Sequence, residues 1–133
     1  MTQRPALALA ALLLLLPACQ RDLPPDATYR ALVRAVADRD EAAAWKLLSH
    51  GTQERLEARA RAAAAAAPGV VPASAREMLV GDAALVTRPP SAITVAGGTA
   101  DRVVLRVEAP GAEPRDVVLL REGGAWRVDL PVQ

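Results

Sequence analysis

Arg115-Asp116-Val117-Val118-Leu119-Leu120-Arg121-Glu122-Gly123-Gly124-Ala125-Trp126-Arg127-Val128-Asp129-Leu130 holds the clearest structural instruction in this 133-residue chain. Two apolar-rich runs flank a Gly-Gly pair. Glycine adopts the positive φ angles of a two-residue hairpin turn, so the stretch predicts antiparallel strands over Arg115–Arg121 and Trp126–Leu130. That turn also sets a register. Arg121 falls opposite Trp126, Leu119 opposite Val128 and Val117 opposite Leu130, all on the face expected to meet the core. The other face carries Val118, Leu120, Glu122, Arg127 and Asp129 and is more polar, as side-chain alternation along a strand requires.

Upstream, Ile93-Thr94-Val95 alternates, and so does Arg102 to Val107, with Val103, Leu105 and Val107 on one face. Gly97-Gly98 lies between them and reads as another hairpin turn. Before these strands the period becomes helical. Asp26 is placed to cap a helix from Ala27 to Ala37, whose stripe is Tyr29, Leu32, Val33 and Val36. Asp40 is placed to cap a second, Glu41 to Leu48, presenting Ala44, Trp45 and Leu48. Ser49-His50-Gly51-Thr52 reads as a turn, with Thr52 capping a third helix that runs through an alanine tract to Ala67, where Pro68-Gly69 stops it. Val70 to Pro72 reads as a loop, and Ser74-Ala75-Arg76-Glu77 as a capping box opening a short helix to Leu79. Helices first and strands after predict an α+β domain, its N-terminal helices packed on a curved antiparallel sheet of about four strands.

The N-terminus gives an address. Arg4 precedes an apolar run, Ala6 to Leu16, and eleven such residues are too few to span a bilayer, which takes about 20. They suit the central region of a secretory signal. Leu16-Pro17-Ala18-Cys19 resembles the lipobox of bacterial lipoproteins, in which the cysteine thiol receives a diacylglycerol and the chain is cut before it. Cys19 is the only cysteine, and acylation removes the difficulty of one unpaired thiol in an oxidising compartment. The expected organisation is a signal peptide over 1–18, a tether over 19–25 stiffened by Pro24 and Pro25, and one domain over 26–133. The lipid on Cys19 joins the protein to a membrane of the cell envelope, and Gln20, in place of aspartate, favours the outer membrane over the inner.

Composition excludes several functions. Without Arg4 the chain has fifteen basic and fifteen acidic residues, which gives nucleic acid no basic face and anionic lipid no net attraction. Two Trp, one Tyr and no Phe leave little material for a stacking platform. One histidine and one lipid-committed cysteine cannot form a zinc set, and both Gly-Gly pairs read as turns rather than phosphate loops. No metal or cofactor is expected.

The opening helix, the segment Asp40-Glu41-Ala42-Ala43-Ala44-Trp45-Lys46-Leu47-Leu48-Ser49 and the closing strands resemble the nuclear-transport-factor-2-like superfamily, and more narrowly its small bacterial lipoproteins. The likeness covers about Asp26 to Pro131. It implies a sheet wrapped on helices into a cone that sometimes holds a pocket. Enzymes of that superfamily place an aspartate, or an aspartate with a histidine, inside the cone. Here the candidate pocket residues are Tyr29, Trp45, His50, Arg121 and Trp126, with Asp82 the carboxylate whose burial would matter. No carboxylate pair has a spacing that demands acid-base work, so no catalytic residue is assigned. The sequence therefore reads as a non-enzymatic lipoprotein that binds an envelope protein. The alternative is a small-molecule-binding or enzymatic cone. A filled interior favours the first; an open one with Tyr29, Arg121 and His50 converging favours the second.

Overall fold

The computed structural model describes residues 22–70, 74–81 and 88–132. The expected signal peptide, Cys19, Gln20 and Asp82 lie outside the described residues. Among the described residues no helix is long and apolar enough to cross a membrane.

The architecture is α+β, with four helices followed by four strands among the described residues. Helix α1 (Pro25–Ala37) starts two residues before the expected Ala27, and Pro24 rather than Asp26 occupies the cap position. Pro25 is favoured at the first helical position because its ring fixes a helical φ where no N–H is needed. Asp26 instead sits in the first turn, where its charge complements the helix dipole. The stripe falls as the spacing predicts: Tyr29, Leu32, Val33 and Val36 are all buried.

Helix α2 (Glu41–Lys46) is capped by Asp40, whose carboxylate accepts from the Ala43 N–H at 3.0 Å. It ends two residues short of Leu48 for a tertiary reason. After Leu47, still helical in its backbone angles, the chain straightens and runs beside the last strand, Val128 donating to Leu47 O at 2.8 Å and Ser49 donating to Val128 O at 2.9 Å. Leu48 and Val128 form a one-residue parallel bridge. Because the chain stays extended through Ser49 (φ −62°, ψ 153°), helix α3 (His50–Ala66) begins immediately after it. Ser49, not Thr52, is the cap, its hydroxyl accepting from the Thr52 N–H at 3.1 Å. His50 is therefore the first residue of a helix and not part of a turn. Helix α4 (Ala75–Gly81) follows Ser74, whose hydroxyl accepts from the Arg76 N–H at 3.2 Å.

The strands β1 (Ala92–Gly98), β2 (Arg102–Glu108), β3 (Arg115–Glu122) and β4 (Ala125–Asp129) form one antiparallel sheet in the order β1-β2-β3-β4. The last hairpin has the register its turn demands, pairing Leu119 with Val128 and Arg121 with Trp126. Gly97-Gly98 is not a turn. Both residues extend β1 past a bulge after Val95, pairing with Val104 and Val103. Gly98 has φ 151°, and a Cβ there would stand 2.3 Å from the Arg102 carbonyl oxygen.

One core joins helices and sheet. Leu105, Val107, Val117, Leu119, Val128 and Leu130 are buried against Tyr29, Leu32, Leu48, Leu56 and Leu79. Burying an aliphatic side chain of this size stabilises by about 1.5–3 kcal/mol, so this cluster is the main source of cohesion. Arg121 departs from expectation: it lies on the core side of β3 but at its exposed end.

Candidate functional site

The five pocket residues chosen from the sequence do not share one interior pocket, although Arg121, Trp126 and His50 gather near the last hairpin. Tyr29 is fully buried, and its hydroxyl accepts a hydrogen bond from Arg115, which closes its only polar end. Trp45 is half-buried on α2, with the Arg76 guanidinium 5.5 Å above its ring. Arg121 stacks 5.6 Å from the Trp126 ring in a second cation–π pair. His50 is exposed, its imidazole 3.1 Å from Glu54 one helical turn on. The space that Tyr29, Arg121 and His50 would share in an open cone is occupied by the leucine-rich core instead.

His50 and Trp126 do line a common feature, an open cleft of about 790 Å³. It forms where three segments meet: the entering chain (Asp22, Leu23), the α2–α3 junction (Lys46, Leu47, Leu48, Gln53) and the β3–β4 hairpin (Glu122, Ala125, Arg127). The bridge between Leu48 and Val128 holds the junction and the hairpin together and so builds the cleft floor. Leu23, Leu47, Leu48, Ala125 and Trp126 make that floor largely apolar. Lys46 and Arg127 stand at it with no ion-pair partner among the described residues. Glu122, by contrast, is committed: its carboxylate accepts from the His50 N–H at 3.0 Å, at the positive end of α3.

A second polar cluster was not visible in the sequence. Asp129 Oδ1 accepts from Ser49 Oγ at 2.6 Å, from Arg55 Nη2 at 2.9 Å and from Thr52 Oγ1 at 3.2 Å. Thr52 Oγ1 in turn accepts from the Leu130 N–H at 2.9 Å, and Arg55 donates to the Leu130 carbonyl at 2.8 Å. Burial raises the Asp129 carboxyl, but the hydrogen bonds from Ser49 and Arg55, the Arg55 charge and the Thr52 hydroxyl outweigh it. The group is held below its ordinary value of 3.8. Ser49 and Thr52 are both fully buried, and the single histidine faces Glu54 rather than either hydroxyl. The cluster thus clamps the start of α3 to the end of β4, and its hydroxyls meet no solvent-borne substrate. Partners about eighty residues apart leave no local spacing to read.

Among the described residues no group of three or more His, Cys, Asp or Glu side chains is placed to hold a metal ion. Comparison with known protein families, curated proteins and solved structures finds no match for this chain.

Proposed function

We propose that this chain is a lipid-anchored domain of the bacterial cell envelope that binds a protein partner rather than catalysing a reaction. The observation that carries the reading is where the chain enters the domain: Asp22 and Leu23 line the rim of the open cleft. A fully extended chain advances at most about 3.6 Å per residue, so Asp22 stays within roughly 11 Å of Cys19 whatever path joins them. With Cys19 acylated, the cleft opens close to the membrane surface. Its apolar floor with Trp126, edged by Lys46 and Arg127 and by Asp22 and Glu122, suits an amphipathic segment of an envelope protein that carries charges of both signs. Two or more acyl chains hold such a domain to the bilayer firmly, whereas one does so only marginally.

The likeness to the nuclear-transport-factor-2-like superfamily belongs to the same proposal, supported by the order of helices then meandering strands. The leucine-filled interior favours partner binding over the ligand-holding cone. The test places a photo-crosslinking residue at exposed Lys46, beside the cleft, or at exposed Arg61 on α3, in the full chain in its native membrane. A discrete adduct specific to position 46 supports the reading. Identical adducts at both positions, or none at either in a correctly anchored chain, would overturn it.

A further inference from the structure

The two edges of the sheet are treated differently. The β4 edge is partly closed by the chain itself, through the Leu48–Val128 bridge and its two flanking hydrogen bonds. On β1 no described residue pairs with the outer edge; its one neighbour is β2. An open strand edge presents unpaired N–H and C=O groups, and natural proteins blunt such edges with charge, proline or a β-bulge. β1 reads Ala92-Ile93-Thr94-Val95-Ala96-Gly97-Gly98; it has no charge and no proline, and its bulge after Val95 leaves Ala92–Val95 regular. The three covered or bridged strands are all charged: Arg102, Arg106 and Glu108 on β2, Arg115, Asp116, Arg121 and Glu122 on β3, Arg127 and Asp129 on β4. Charge is thus missing from the one strand whose outer edge has no partner at all among the described residues.

Val95 sharpens the point. In the sheet register it lies in one row with Leu105 and Val117, which are buried, yet Val95 itself is 68 % exposed. The apolar row runs out to the edge and stops there uncovered. The bulge after Val95 limits the regular part of the strand to Ala92–Val95, so whatever covers it must be short.

We infer that β1 is a homodimer seam, pairing antiparallel with β1 of a second copy about a two-fold axis at Thr94 and making one eight-stranded sheet. A second copy fits for two physical reasons. A two-fold axis sets each strand against itself, so any charge at the seam would meet a like charge, and this strand has none. An axis perpendicular to the sheet keeps each face continuous, so opposed residues must share a face. Centring it on Thr94 sets Val95 opposite the partner's Ile93 and Thr94 opposite the partner's Thr94, apolar against apolar and hydroxyl against hydroxyl. A seam of this length buries much less than the ~1,600 Å² of a standard interface. It therefore depends on high local concentration, which a shared membrane surface supplies; that clause alone rests on the anchor proposed above.

Disulfide trapping in native membranes tests the seam. Directly opposed antiparallel residues have Cα atoms about 4.5 or 5.5 Å apart, and both spacings admit a disulfide. The full chain carrying Thr94→Cys should give a reducible dimer at least tenfold above the same chain carrying Arg61→Cys on α3. Adding Val95→Lys, a change at an exposed position that the fold tolerates, should return the yield to that control level. Equal yields from Thr94→Cys and Arg61→Cys, a dimer undiminished by Val95→Lys, or an adduct with a protein of different mass would each overturn the inference. The unsubstituted chain separates this from the anchor. A disulfide dimer through Cys19 would show a free thiol and refute acylation. The seam is then decided by the same comparison in a Cys19→Ala background.

Discussion

Asp129→Ala should destabilise the domain by about 1–2 kcal/mol at neutral pH, and the structure says where that cost arises. Ser49, fully buried, loses the acceptor 2.6 Å away and falls back on Thr52 Oγ1 at 2.9 Å. Its hydroxyl is not orphaned, so the exchange costs about 1 kcal/mol, the net worth of one hydrogen bond. Thr52 loses less, because the Leu130 carbonyl stands 3.5 Å from its oxygen as a replacement acceptor. The Arg55 pair adds under about 1 kcal/mol, since its guanidinium is 42 % exposed and screened by water. For a domain of this size the sum lowers Tm by about 5–10 °C. The pH dependence follows from the lowered carboxyl. A group whose folded value is depressed contributes stability that is complete above its ordinary value of 3.8 and is lost as pH falls through the folded one. Urea unfolding of the parent and Asp129→Ala chains, followed by tryptophan fluorescence, should show the full gap at neutral pH and a clearly smaller one near about pH 2. A gap below about 0.5 kcal/mol at neutral pH, or one that does not shrink in acid, would refute the clamp.

Trp126→Ala should cost roughly 2 kcal/mol, less than the 3–5 of a fully buried tryptophan, because Trp126 is only half-buried under the Arg121 guanidinium. A thermal melt that barely moves would show that the ring contributes nothing to packing. Gly98→Ala should destabilise by about 1–3 kcal/mol, because the new Cβ meets the Arg102 carbonyl oxygen at 2.3 Å in a backbone with φ 151°. The paired control Gly97→Ala, where a Cβ meets nothing within 4 Å, should change little. Equal melting points for the two variants would contradict the geometry.

The last hairpin was legible because its turn chemistry and two-residue period act locally, and one register satisfied both. The α1 stripe and the Asp40 cap were legible for the same reason. What failed to show was tertiary. Ser49 and Thr52 are both good capping residues, and only the pairing of Leu48 with Val128 decides between them by holding the chain extended to Ser49. Gly97-Gly98 resembles a turn in isolation, yet Val103 and Val104 opposite it hold those glycines in a strand. The five aromatic and charged residues chosen as a pocket were grouped by type. Tyr29 is drawn into the core and finds Arg115, and Trp45 lies under Arg76, whereas Arg121 and Trp126 engage each other at the hairpin. The groups a shared interior pocket would need are thus already committed. The cleft at the chain's entry escaped notice because its walls come from three distant segments with no common motif.

The measurement that bears most directly on this account is the chemistry of Cys19 in the mature protein. The full chain and its Cys19→Ala variant, grown with labelled fatty acid and followed by mass spectrometry of the mature N-terminus, give opposed outcomes. The account predicts label on the parent chain, none on the variant, and a mature chain beginning at an acylated Cys19. Residues 1–18 still attached, or a free thiol on an unlabelled Cys19, would contradict it.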